Sequence, residues 1–231
     1  MPRKANPTHF LCLQLASAQL SKSLTAFRAH VTSPEGFGIP SDAVRPPGTL
    51  HLTLGVMSLK QDQVGHAVDL LNKVRPRDIL QQLRAGGAAG AVSSASGGKA
   101  QEGEGLLISL RGLQSMTAAS RTSVLYAPPS DAQGILYPFC ERLRSRFVEA
   151  GLVVDERPLR LHATVVNTVY VGGARRERLM LDARELLARY EGHAWAEDMP
   201  VTRVAICRMG AKKIGNGDGD EAYEVEGEIE I

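Results

Sequence analysis

Leu50-His51-Leu52-Thr53-Leu54 and Leu161-His162-Ala163-Thr164-Val165 carry one pattern, apolar, His, apolar, Thr, apolar, with one copy in each half of a 231-residue chain. Alternation with period two marks a half-buried strand. Leu50, Leu52 and Leu54 then point to one side of the first strand, and Leu161, Ala163 and Val165 to one side of the second. His51 and Thr53, and His162 and Thr164, project from the other sides. Each strand offers one imidazole beside one hydroxyl. Two such strands facing each other would set a general base and a general acid on two sides of a phosphate, which is the working part of a metal-free phosphodiesterase.

Outward from these pentads, the elements alternate. Thr8 to Leu15 reads as a first strand. Ser17 to Val31 reads as a helix, with Leu20, Leu24, Phe27 and Val31 at helical spacing and Ser33-Pro34 as its stop. Gly36, Gly38, Pro40, Pro46 and Pro47 make Ser33 to Pro47 a long irregular loop that delivers the chain into the first His strand. Gln61 to Asn72 is a second helix, and Ile79 to Leu83 a short third. Arg84 to Gly105 collapses to Gly, Ala, Ser and a few charges, too little apolar surface to offset chain entropy, and is expected to be a disordered insertion. Leu106 to Leu110 and Ser123 to Ala127 read as a strand pair. Gly134 to Gly151 is the clearest helix, striped by Leu136, Phe139, Cys140, Leu143 and Phe147. Asp182 to Tyr190 is a further helix, and Val201 to Met209 and Ala222 to Ile231 are closing strands around a turn at 215–220. The order predicts one α+β domain over 1–231, built as two similar lobes around a central cleft, each an antiparallel sheet with helices on its outer face.

Composition bounds the function. A net charge of +2 is too weak to argue for a nonspecific grip on duplex DNA and suits a short anionic substrate. Cys12, Cys140 and Cys207 are widely spaced in apolar surroundings and read as reduced core thiols of an intracellular protein, cytoplasmic or nuclear. No apolar run follows Met1-Pro2-Arg3-Lys4 and none of eighteen residues occurs, so neither secretion nor a membrane span is expected.

The paired motifs resemble those of the 2H phosphoesterase superfamily, marked by two His-x-Thr/Ser motifs, whose LigT-like members include RNA 2',3'-cyclic phosphodiesterases and 2',5'-oligoadenylate phosphodiesterases. Leu50 to Met57 (LHLTLGVM), Val124 to Ala127 (VLYA) and Leu161 to Thr168 (LHATVVNT) are similar to segments of the A-kinase anchoring protein 7-like phosphoesterase domain and of the C-terminal domain of activating signal cointegrator complex subunit one. The resemblance implies a LigT-like fold. It also implies phosphodiesterase activity on RNA or a short oligonucleotide or nucleotide, with His51, Thr53, His162 and Thr164 as catalytic residues. A KH-type module before the domain and a kinase-anchoring helix after it are not expected.

The residues themselves explain why this set suffices. Phosphodiester hydrolysis removes a proton from an incoming water or hydroxyl and delivers one to the departing ribose oxygen, and histidine is accessible in both protonation states near neutral pH. Which imidazole is base and which acid stays open. Thr53 and Thr164 can donate to the nonbridging oxygens as charge builds. No cofactor is called for, and no carboxylate cluster at ligand spacing accompanies either motif, so no metal is expected.

Tyr170 is a candidate substrate-binding residue that could stack on a base, with packing as its rival role. Arg175, Arg176 and Arg178 could meet phosphates of a longer substrate or form a solvated loop cluster. Tyr126 reads as part of a buried strand, and His9, His30, His66 and His193 as structural or exposed. Two functions remain: a hydrolase acting at a ribose 2' phosphodiester, in 2',5'-linked oligoadenylate or an RNA 2',3'-cyclic phosphate, and a nucleotide- or RNA-binding module of a transcription or RNA-repair assembly.

Overall fold

The computed structural model describes residues 6–87, 105–153, 157–172, 178–214 and 220–231. Twelve strands lie among them: β1 His9–Gln14, β2 His51–Met57, β3 Leu106–Arg111, β4 Gln114–Ser115, β5 Val124–Ala127, β6 Pro129–Ser130, β7 Ala163–Asn167, β8 Ala194–Val201, β9 Arg203–Arg208, β10 Lys212–Lys213, β11 Glu221–Ala222 and β12 Val225–Glu230. The helices are α1 Ala18–Thr32, α2 Gln61–Asn72, α3 Pro76–Gly87, α4 Leu136–Glu149 and α5 Arg184–Arg189. The α+β class and antiparallel sheets are those expected.

The main sheet has seven strands in the order β12-β9-β1-β2-β7-β5-β4. It consists of two halves, β12-β9-β1-β2 and β7-β5-β4, joined where β2 runs antiparallel to β7 through a single register pair, Leu52 with Ala163. The lobes therefore meet edge to edge. The two His motifs are neighbours on one sheet, where the sequence reading set them on strands facing each other across a cleft. A two-stranded sheet, β10-β11, and a three-stranded one, β6-β3-β8, complete the molecule.

Local chemistry explains most elements. Ser17 caps α1, its side chain accepting from the Leu20 amide at 3.0 Å. Leu20, Leu24, Phe27 and Val31 are the buried positions of that helix. Helix α4 buries the expected stripe of Leu136, Phe139, Cys140, Leu143 and Phe147. Both belong to one continuous apolar core with Leu11, Leu13, Leu52, Leu54 and Trp195. All three cysteines are free and buried.

Three expectations change. The strand at Leu106 to Leu110 pairs with β8 and β6, while Ser123 to Ala127 pairs with β7 and β4, so the two do not pair with each other. Strand β8 went unpredicted because Glu197, Asp198 and Pro200 interrupt its alternation, and Asp198 adopts φ 46°. Helix α3 is longer than Ile79 to Leu83 and takes in 84–87, the first residues assigned to the insertion. Residues 88–104, Arg175, Arg176 and most of the 215–220 turn lie outside the described residues.

Candidate active site

Extending the Leu52–Ala163 register by one residue each way sets His51 opposite Thr164 and Thr53 opposite His162. Leu52 and Ala163 are buried beneath the sheet, so all four polar side chains rise from the other face. They form a square with the histidines on one diagonal and the threonines on the other. Diagonal positions of adjacent strands lie roughly 7–8 Å apart, near enough for two imidazoles to reach one phosphate between them.

The two corners are built alike. A bulge follows each motif threonine: Cys12 pairs with Thr53 but Leu11 with Gly55, leaving Leu54 extra, and Tyr126 pairs with Thr164 but Leu125 with Val166, leaving Val165 extra. Each bulge resets the alternation, so Val56 and Asn167 return to the groove face three residues after their threonines. Gly55 is required at the first bulge, since a Cβ there would stand 2.7 Å from Val153 Cγ2.

The imidazoles are oriented in the same way. His51 Nδ1 lies 2.7 Å from the Thr49 carbonyl oxygen, and His162 Nδ1 lies 2.7 Å from that of Arg160. A carbonyl only accepts, so each Nδ1 carries the proton and each Nε2 is left as the atom for proton transfer. Phe10 lies against His51 at 4.7 Å between ring centroids and Tyr223 edge-on at 5.3 Å. Tyr126 stands edge-on to His162 at 5.5 Å. Its hydroxyl accepts from Arg160 at 2.5 Å and donates to Gln114 Oε1 at 2.8 Å, so the residue set aside as strand core supports the second histidine.

Electrostatics separate the pair. Burial pushes His51 down to about 4, with the charges of His162 and Arg45 adding to the effect and the Thr49 carbonyl opposing it. Burial also lowers His162, with Arg160 adding and the Arg160 carbonyl opposing. At neutral pH His51 is a neutral imidazole with an open Nε2.

Two pockets share Thr53. One, of about 190 Å³, is lined by Arg45, His51, Thr53, Thr164, Tyr170 and Tyr223, among others. The other, of about 540 Å³, is lined by Thr53, Arg144, Arg157, Arg160 and His162, among others. The four motif residues and Tyr170 thus line two neighbouring pockets, with His51, Thr53, Thr164 and Tyr170 in the smaller and Thr53 and His162 in the larger. Of the loop arginines, Arg178 is exposed and lines neither pocket. His9 bonds Thr8 and pairs with Glu226, His30 contacts the Tyr190 hydroxyl, and His193 packs on Trp195. Sequence reading missed Arg45 and Tyr223. The signal for Arg45 was a lone cation in Val44-Arg45-Pro46-Pro47, an apolar, proline-stiffened approach to the motif. Among the described residues no group of three or more His, Cys, Asp or Glu is placed to hold a metal ion. None of their helices is long and apolar enough to cross a membrane.

The mixed fold of edge-joined antiparallel half-sheets is a LigT-like 2H phosphoesterase fold. Solved structures share it: one described as a phosphoesterase superposes with a TM-score of 0.52 at 17% identity, covering 98% of this chain and 99% of that one. Escherichia coli LigT complexed with NADP+ gives 0.50 at 17% identity, with 99% of each chain covered. The family model of the AKAP7 2'5' RNA ligase-like domain matches residues 7–231, and the chain belongs to that family. It is 25% identical over 208 residues to the uncharacterized protein C15D4.13c of Schizosaccharomyces pombe, covering 87% of this chain and 86% of the relative. It is 27% identical over 175 residues to activating signal cointegrator 1 complex subunit 1 of Mus musculus, covering 72% of this chain and 44% of that protein.

Proposed function

We propose that the protein is a metal-independent phosphodiesterase acting on a ribose 2' phosphodiester, in 2',5'-linked oligoadenylate or an RNA 2',3'-cyclic phosphate. The observation that carries this reading is the register that puts each motif histidine beside the other motif's threonine, with both Nδ1 atoms tied to carbonyls. The family description and the nucleotide bound in the LigT structure support a nucleotide or RNA ligand.

In this mechanism the phosphate sits over the square, its nonbridging oxygens accepting from Thr53 and Thr164. His51 is the base: its neutral Nε2 takes the proton of the incoming hydroxyl as the new oxygen–phosphorus bond forms. His162 is the acid. Less enclosed than His51, it holds a proton on Nε2 when the phosphate's negative charge offsets its burial, and passes it to the ribose oxygen as that bond to phosphorus breaks. Charge on the five-coordinate state is met by the two hydroxyls and the imidazolium. Tyr170 lines the smaller pocket and is exposed, which supports a contact with the nucleoside. At about 190 Å³ that pocket is below the size that encloses a whole drug-sized ligand, so a phosphoryl group with part of its sugar enters while the base stays at the rim.

The test is product analysis with 2',5'-linked, 2',3'-cyclic and 3',5'-linked substrates in EDTA. Cleavage of a 2'-linked or 2',3'-cyclic substrate that persists in chelator supports the proposal. No cleavage across the panel would leave the nucleotide- or RNA-binding module as the reading.

A further inference from the structure

Arg45 is a buried cation whose side chain meets Tyr223 but leaves one donor unmet. Only 5% of the residue is exposed, its Nη2 has no hydrogen-bond partner, and the carboxylate nearest that atom, Glu221 Oε2, is 3.7 Å away. Charge-assisted hydrogen bonds of this kind run about 2.7–2.9 Å, so the ion pair is loose. Withdrawing a guanidinium from water is costly unless its donors are satisfied. Here the cost is met in part by the Tyr170 ring, whose centroid lies 3.7 Å from the guanidinium carbon.

The backbone around Arg45 is fixed. Its amide donates to the Val165 carbonyl at 2.9 Å, and Val44 bridges to Val166, so the loop before β2 is stitched onto β7 just beyond the seam. This delivers the guanidinium to the pocket that also holds His51, Thr53 and Thr164. A planar, permanently charged donor set with an unpaired Nη2 fits an anion with several acceptor oxygens.

We propose that Arg45 binds the phosphate of the substrate, its Nη2 donating to a nonbridging oxygen of the group held by Thr53 and Thr164. This rests on the reading of the groove as a phosphate site and adds a residue that neither His-x-Thr motif contains. Glu221 is then a resting partner that keeps the cation tolerable in the empty pocket, and Tyr170 is the plate that holds the guanidinium flat.

Inorganic phosphate is the probe, its binding followed by NMR. Arg45→Met is expected to weaken phosphate binding about 10- to 100-fold, the worth of one hydrogen bond to a charged group. Arg45→Lys should lose less, keeping the charge without the fork. Glu221→Gln should bind phosphate at least as well as the wild type, whereas a merely structural Arg45–Glu221 clasp would make the two substitutions equivalent. Guanidinium ion added to Arg45→Ala should restore part of the lost binding. A folded Arg45→Met that holds phosphate like the wild type, or a Glu221→Gln that loses as much as Arg45→Met, would overturn the assignment. Should the arginine variants not fold, the wild-type Arg45 Nε–H resonance decides: it shifts on saturation with phosphate if the proposal holds, and its failure to move rejects it. Phosphate binding needs no turnover. Arg45-dependent binding in a protein that cleaves nothing would remove the proposed reaction and keep this site, while cleavage with Arg45-independent binding would do the reverse.

Discussion

His51 and His162 share a motif and a hydrogen-bonding pattern but not an environment. His51, held down to about 4 by burial, is a liability to the fold in acid. Its folded value lies below the ordinary 6.5, so the unfolded chain binds a proton first as pH falls and stability drains between about 6.5 and 4. The loss is on the order of 3 kcal/mol at most, because each tenfold weakening of proton binding is worth about 1.4 kcal/mol. His51→Gln should flatten this slope in denaturant titrations at pH 7 and pH 4.5, and an unchanged slope would mean that the ring is not enclosed. In the proposed mechanism Thr53→Ala and Thr164→Ala each remove one donor to the developing charge. Each should lower kcat about 10²- to 10³-fold in an assay of the cleaved substrate, and a threonine whose loss changes only KM does not act in the transition state.

At the level of elements, the His strands were legible because their alternation is unbroken through both motifs. What the pentads could not reveal is that Leu54 and Val165 are bulge residues, since a bulge changes pairing without changing local composition. The edge-to-edge seam was hidden for a similar reason: a single pair, Leu52 with Ala163, makes it, and no local pattern names a strand's neighbour. Strand β8 was missed because its charges and proline look like a loop, although Trp195, Ala196, Met199 and Val201 are buried. Gly55 offers a direct test of the first bulge. Gly55→Ala should cost about 1–3 kcal/mol through overpacking against Val153, and Val153→Ala should relieve part of that cost. A double-mutant cycle in denaturant with no coupling between the two would place the bulge elsewhere.

For the whole molecule, matching bulges, matching Nδ1 bonds and matching motifs describe two halves related by an approximate twofold through Leu52 and Ala163. The sequence suggested this duplication only through its pentads, because the flanks differ: Phe10 and Tyr223 enclose His51, while Tyr126 and Arg160 support His162. In the proposed mechanism, symmetry of scaffold with asymmetry of surroundings lets one half supply a base and the other an acid. There the histidines act on one phosphate as a unit. His51→Ala and His162→Ala should each lower kcat about 10²- to 10⁴-fold, and the double variant should be little worse than the poorer single one. Multiplying losses in the same assay would show two independent sites.

The most direct measurement is a titration of the wild-type protein with a nucleoside 2'-monophosphate, followed through the imidazole nitrogens by NMR. The square of His51, Thr53, His162 and Thr164 predicts that both Nε2 resonances move together with a single dissociation constant while both Nδ1–H signals stay in place. Movement of one histidine alone, or two different dissociation constants, would contradict convergence on a single phosphate.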